Sequence, residues 1–149
     1  MSTSKDLTKD AKKNNELTAD TSWMKAIWKW ADDNKLNEDT IPRNSSGLLA
    51  LEELLLDSSD IDHLPKEIGQ LTNLTTLNIR RGKLTNLPES IAELTNLTSL
   101  HILHNRRLTE LPEFIGELTN LTLLDIRWNN FTELPDSIVK LTNLTSLDI

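Results

Sequence analysis

Large aliphatic residues recur along this chain in one figure, Leu-x-x-Leu-x-Leu/Ile. Leu74, Leu77 and Ile79 form one copy, and Leu121, Leu124 and Ile126 form another. The apolar/polar alternation at the end of each copy predicts a short strand with one buried face. After each strand comes Asn or a small substitute (Ser59, Gly82, Asn105, Asn129), where the chain must turn. An apolar position (Ile61, Leu84, Leu108, Phe131) and a Leu-Pro step follow. Proline suits the first position of a helix, where its missing N–H is no loss. In Pro-x-x-Ile-x-x-Leu (Pro88, Ile91, Leu94) the Ile and Leu then share the inner side of a short helical turn.

The figure has a fixed period. Leu64-Pro65, Leu87-Pro88, Leu111-Pro112 and Leu134-Pro135 are spaced by 23, 24 and 23 residues, and each pair is followed by Leu-Thr-Asn-Leu-Thr. A period in this range predicts a solenoid. The register extends back to Ile41-Pro42, since Leu48, Leu51, Leu54 and Leu56 occupy the places of Leu71, Leu74, Leu77 and Ile79. The units are 41–63, 64–86, 87–110 (one residue longer, near Arg106-Arg107), 111–133 and a partial 134–149. Before them, residues 1–20 hold only Leu7 and Leu17 as large apolar residues, which predicts a disordered tail. Residues 21–40 are expected to form a capping region, with a helix over 22–35. Trp23, Ile27 and Trp30 share one face of that helix, and Asp20, Thr21 or Ser22 stands at the N-cap. A solenoid's first coil has an open apolar end, so this Trp-rich face reads as its cover rather than as a membrane platform. Few basic residues accompany it, against a membrane-surface role.

Charge and composition narrow the partners. The net charge is −7. Phosphate binding needs clustered Lys and Arg, so no nucleic-acid partner is expected. There is no Cys, which removes disulfides, Cys-ligated metals and Cys nucleophiles. No apolar run reaches the roughly 18 to 20 residues of a membrane span, and no apolar leader is visible, so no membrane partner is expected. The Asn-Leu-Thr triplets at Asn73, Asn96, Asn120 and Asn143 fit the glycosylation sequon but read as copies of one structural repeat. The expected location is the cytoplasm. The alternative is secretion into a host cell without a Sec signal, which the Ser/Thr/Asn-rich N-terminus also suits. No cofactor is expected.

The unit Leu-Pro-x-x-Ile-x-x-Leu-x-x-Leu-x-x-Leu-x-Ile-x-x-Asn-x-Leu/Phe-Thr resembles the leucine-rich repeat in its 23-residue intracellular or bacterial class, over residues 41–149. The resemblance implies an α/β solenoid, a horseshoe with a parallel sheet on the concave side and short helices outside, serving as a protein-binding module. Ser59 and Gly82 depart from the motif's Asn and weaken an Asn ladder at that end.

The resemblance also implies that the variable strand positions face the concave surface. These are Glu53, Leu55, Asp57 and Ser58; Thr76, Asn78, Arg80 and Arg81; Ser99, His101, Leu103 and His104; Leu123, Asp125, Arg127 and Trp128; Ser146 and Asp148. Strands about 4.8 Å apart turn equivalent positions into rows. One row is Asp57, Arg80, Leu103, Arg127 and the next is Ser58, Arg81, His104, Trp128. Together they gather Arg80, Arg81, His104, Arg127 and Trp128 into one patch on an acidic protein, and Arg and Trp dominate binding hot spots. His101 joins the candidate partner-binding residues, and the partner is expected to be an acidic protein or peptide. The competing reading pairs Arg80 and Arg127 with Asp57 and Asp125 as a solvated charge mosaic. A third row sets His101 beside Asp125, with Ser99 two residues back. Ser99 and His101 would lie about 7 Å apart along a strand, too far for a catalytic hydrogen bond. A surface pair is expected there, with no catalytic residue and no metal site.

The expected function is therefore a non-catalytic interaction module. The alternative is the recognition portion of a longer bacterial effector of the ubiquitin-ligase type, whose catalytic Cys-bearing domain is absent from this sequence. Leu141, Leu144, Leu147 and Ile149 fall in a coil with nothing after it, which predicts a fragment of a longer solenoid or end-to-end self-association through that coil.

Overall fold

The computed structural model describes residues 20–149; the expected disordered tail lies outside them, except for Asp20. Five strands form one parallel sheet in chain order: β1 (Glu53–Asp57), β2 (Thr76–Arg80), β3 (Ser99–Leu103), β4 (Leu123–Asp125) and β5 (Ser146–Asp148). The register follows the repeat. Leu54 pairs with Leu77, Leu77 with Leu100, Leu100 with Leu124 and Leu124 with Leu147. Along β1 the alternation is exact in outcome: Leu54 and Leu56 are buried while Glu53, Leu55 and Asp57 are exposed.

Opposite the sheet run four short helical turns, Lys66–Gln70, Glu89–Glu93, Glu113–Glu117 and Asp136–Lys140. All four are 3-10 turns, and the prolines lie one step earlier than expected. Pro65, Pro88, Pro112 and Pro135 are the capping residues themselves, extended with ψ between 141° and 154°. A residue that supplies no N–H and favours φ near −65° serves that position equally well. Ile68, Ile91 and Ile115 point inward from these turns and meet the strand leucines in one continuous core. The first unit differs: its turn is a five-residue α-helix, α2 (Ser45–Leu49), whose Asn44 cap accepts a hydrogen bond from Gly47 N at 2.7 Å.

In each Leu-Thr-Asn-Leu-Thr segment the Asn and the last Thr bond the previous coil. Asn73, Asn96, Asn120 and Asn143 donate their side-chain amides to the carbonyls of Leu49, Thr72, Thr95 and Thr119 at 2.6–2.8 Å. Thr75, Thr98, Thr122 and Thr145 donate their hydroxyls to Glu52, Thr75, Thr98 and Thr122. The Asn amides thereby supply partners to carbonyls outside the sheet ladder, while the Thr hydroxyls add a further bond to carbonyls that already accept from backbone N–H groups of the next coil. A third ladder runs through the turn after the strands. Asn129 accepts from Asn105 N at 2.8 Å and donates to the carbonyls of Ile102 and Ile126, while the buried Asn105 donates to Ile79 and Leu103. Gly82 stands where the ladder would continue. A Cβ there would come within 2.6 Å of the Asn105 Oδ1, so the larger side chain of the next coil fills the space.

The preceding helix, α1 (Ser22–Asp33), is shorter than the expected 22–35. It ends in a Schellman turn: Lys35 takes a left-handed φ of 56°, Leu36 N bonds Ala31 O, and Lys35 N bonds Asp32 O. Thr21 occupies the N-cap without a side-chain bond, and the Asp20 carboxylate accepts from Ser22 N instead. Met24, Ile27, Trp30 and Ala31 are buried in the same core as the repeats. Of the three tryptophans only Trp30 is fully buried, its indole N–H donating to His63 O at 3.0 Å. Trp28 is partly buried and donates to Pro42 O at 2.8 Å. No helix among the described residues is long and apolar enough to cross a membrane.

Candidate functional site

The outward face of the sheet carries the residues that fail to repeat. The strand ladder places Leu55, Asn78, His101, Asp125 and Asp148 in one row, and Asp57, Arg80 and Leu103 in the next. The first row matches the register read from the sequence, and so does the second as far as Leu103; Arg127 lies past the end of β4. The row of Arg81, His104 and Trp128 lies just past the strands, and all three residues are left-handed, with φ of 56°, 56° and 60°. A bulky L-residue costs about 1–2 kcal/mol in this region relative to its ordinary backbone. Residues held there cluster at functional sites. The conformation still serves the ladder, since Arg81 N bonds Leu103 O at 3.0 Å and His104 N bonds Arg127 O at 3.4 Å.

The left-handed turn also decides which arginines pair. In an unbroken strand, Arg81 would face away from Arg80. Turned by its φ, Arg81 instead reaches Asp57 with two nitrogens, at 2.7 and 2.5 Å. Arg80, the direct register partner of Asp57, donates Nε to the Asn78 side chain at 2.8 Å and makes no ion pair among the described residues. Arg127 is clamped to Asp125 by two bonds, at 2.9 and 2.8 Å. The pairing expected of a charge mosaic thus forms for Arg127, though on a buried rather than a solvated carboxylate, and fails for Arg80, whose place opposite Asp57 is taken by Arg81.

Two expected surface positions are buried. Leu103 lines the floor of the face, and Asp125 is only 4% exposed. The His101–Asp125 contact is accordingly not a simple surface pair. His101 Nδ1 stands 3.8 Å from a carboxylate already held by Arg127. Hydrogen bonds from Arg127 hold the Asp125 carboxyl below the usual carboxylate range against the opposing effect of burial. Those from Arg81 do the same for Asp57.

The aromatic end of the patch is built from three side chains. The rings of His104 and Trp128 stack with centroids 4.5 Å apart and planes 11° from parallel. The Arg127 guanidinium carbon lies 4.8 Å from the indole centroid, within cation–π range. Even so held, Trp128 is 55% exposed. Asp57, Arg80, Arg81, Leu103, His104 and Trp128 line one shallow cleft of about 300 Å³. Leu55, equally exposed on β1, adds an apolar surface that the sequence reading placed outward without nominating it. Its signal was a leucine at a strand position that the alternation assigns to solvent.

The family model for the leucine-rich repeat region matches residues 32–109, just over half of the chain, and a second leucine-rich repeat model matches 120–141. The chain belongs to the leucine-rich repeat family. Among solved structures this repeat protein is similar to a leucine-rich repeat protein of Leptospira interrogans, with 42% identity, a TM-score of 0.64, 68% of this chain and 26% of that one covered. It is also similar to an internalin of Listeria monocytogenes, with 26% identity, a TM-score of 0.59, 70% of this chain and 29% of that one covered. A plant peptide hormone receptor, solved in complex with RGF2, matches with 36% identity, a TM-score of 0.57, 65% of this chain and 17% of that one covered. The leucine-rich repeats described here thus span less than a third of the length of each. A comparison with curated proteins finds no match.

Proposed function

We propose that this leucine-rich repeat chain is a non-catalytic interaction module, and that it binds a protein or peptide of acidic character on the concave sheet face. The residues assigned to the contact are Arg80, Arg81, His101, His104, Arg127 and Trp128. One observation carries the reading: three bulky residues in successive coils are held left-handed in a row that ends in a stacked, half-exposed tryptophan. The backbone does not call for Trp128 at that position, because glycine or asparagine adopts the same conformation with less strain. The likeness to a plant peptide hormone receptor supports a peptide-sized partner. Affinity capture with the wild-type protein and with Arg80, Arg127 and Trp128 changed to Ala tests it. Loss of a specific partner in the variants is the expected result, and an unchanged set of partners overturns the proposal.

A second reading has its own support. The bacterial proteins similar to these repeats are more than three times the length of the matched part, which favours the recognition portion of a longer effector. Mass spectrometry of the native protein from its source separates the two. A mass well above 16.9 kDa supports the longer protein, and a mass of 16.9 kDa contradicts it.

A further inference from the structure

The internal pairing on the sheet face limits what the cleft can take. Three arginines border it or its aromatic wall, yet two are already engaged. Arg81 is bidentate with Asp57, and Arg127 is bidentate with Asp125. Each of the two therefore has its charge offset by a carboxylate, although N–H donors remain on its other edge. Arg80 differs. Only its Nε is used, by Asn78, and among the described residues its two terminal nitrogens have no hydrogen-bond partner. Asn78 thereby aims a free guanidinium fork into the cleft that Trp128 and His104 also line.

The geometry points to a specific ligand chemistry: a peptide segment in a polyproline-II conformation, with one carboxylate side chain seated on Arg80 and one apolar or aromatic side chain set against Trp128. This rests on the concave-face reading above and sharpens it from a generally acidic partner to a single acidic anchor plus an apolar one. Asp57 and Asp125 are part of the selectivity. They offset the charge of Arg81 and Arg127, so that among the described residues a densely charged anion meets one arginine of the three without a carboxylate partner. The spacing follows from the sheet. Arg80 and Trp128 belong to coils two apart, about 9.6 Å across the strands, and a polyproline-II segment, at about 3.1 Å per residue and three residues per turn, covers that in about three residues with both anchors on one face. The two anchors therefore sit three positions apart on a segment that crosses the strands. In this arrangement Arg127 is a positioning residue, fixing the indole from Asp125, and Arg80 is the residue that contacts the ligand.

Nitrogen-15 NMR with arginine Nε and indole N–H detection tests this on the intact chain. The probes are three end-blocked hexapeptides: Gly-Glu-Gly-Gly-Phe-Gly and its two analogues with Gln for Glu or Ala for Phe. The Trp128 indole signal is assigned with Trp128→Phe. The expected result is a saturable shift of the Arg80 Nε and Trp128 indole signals with the Glu/Phe peptide, at a Kd of about 1 mM or tighter. Each analogue should bind at least about tenfold more weakly, a difference of about 1.4 kcal/mol. The Arg81 and Arg127 Nε signals should stay in place. Arg80→Gln should abolish the preference for Glu over Gln while leaving the melting temperature unchanged. Equal shifts with the Gln analogue, movement of Arg81 Nε in step with Arg80, or no shift with any peptide overturns the inference. If partner capture still depends on Trp128 in that event, the concave-face reading survives and only the two-anchor chemistry fails.

Discussion

At the scale of single residues, the turn after each strand settles both stability and recognition. Asn129 bonds one amide N–H and two carbonyls in and across coils. Asn143 makes a single exposed bond to Thr119. Replacing Asn129 by Ala should therefore cost about 2–3 kcal/mol by leaving partly buried backbone groups unpaired, while Asn143→Ala should cost less than about 1 kcal/mol. Urea unfolding of the two variants checks this contrast. Protonation acts on the same region. The folded-state pKa values of Asp57 and Asp125 are lowered by Arg81 and Arg127, so their contribution is present above the unfolded carboxylate value near ~3.9. It is lost as the pH falls through the folded values. The melting temperature should thus drop as the pH is taken from about 5 to about 2, and Asp125→Asn should flatten part of that drop. The Arg127–Asp125 pair was legible in the sequence, but the Arg81–Asp57 pair was not. The strand register named Arg80 as the partner of Asp57, but a left-handed φ at Arg81 redirects the neighbouring side chain, and no local sequence signal marks a left-handed arginine.

At the scale of elements, the coils are not equally spaced on the side opposite the sheet. Gly69 and Gly116 sit where the following coil comes close. A Cβ on Gly116 would meet Ser137 Cβ at 2.6 Å and Ser137 O at 2.7 Å, and one on Gly69 would press on the Ser90 carbonyl. The intervening unit has Ala92 at the same place, and the last has Val139, which is exposed. The repeat therefore alternates in pairs, with a glycine-bearing turn packed tightly under a serine-bearing one. Gly116→Ala should destabilise the protein by about 1–3 kcal/mol through overpacking against backbone, measurable as a lower denaturation midpoint at unchanged slope. The period, the strand positions and the register were all legible, because a 23-residue repeat of leucines admits one arrangement of inward faces. The 3-10 character of the turns and the capping place of the prolines were not. Proline fixes φ alone, and the choice between an α and a 3-10 turn depends on how the next coil packs.

At the scale of the whole molecule, stability passes from coil to neighbouring coil. Each unit of a solenoid contacts only its neighbours. Helix α1 buries Trp30 against the first units and ties its indole to His63. Trp30→Ala should cost about 3–5 kcal/mol, and hydrogen exchange should show protection lost first in β1. Against this regular body, the sheet face concentrates what does not repeat, and its outline was legible because the repeated residues are scaffold and the remainder stands out. Leu55 and Trp128 on that face, and Val139 on the opposite one, are all exposed apolar positions, so they distinguish the two faces directly. The most direct measurement places a photo-crosslinking amino acid at position 55 or at position 139 in otherwise wild-type protein, with and without Trp128→Ala. A partner adduct is expected from position 55 that disappears with Trp128→Ala, and none from position 139. An adduct formed from position 139, or one at position 55 indifferent to Trp128, would contradict the concave-face reading.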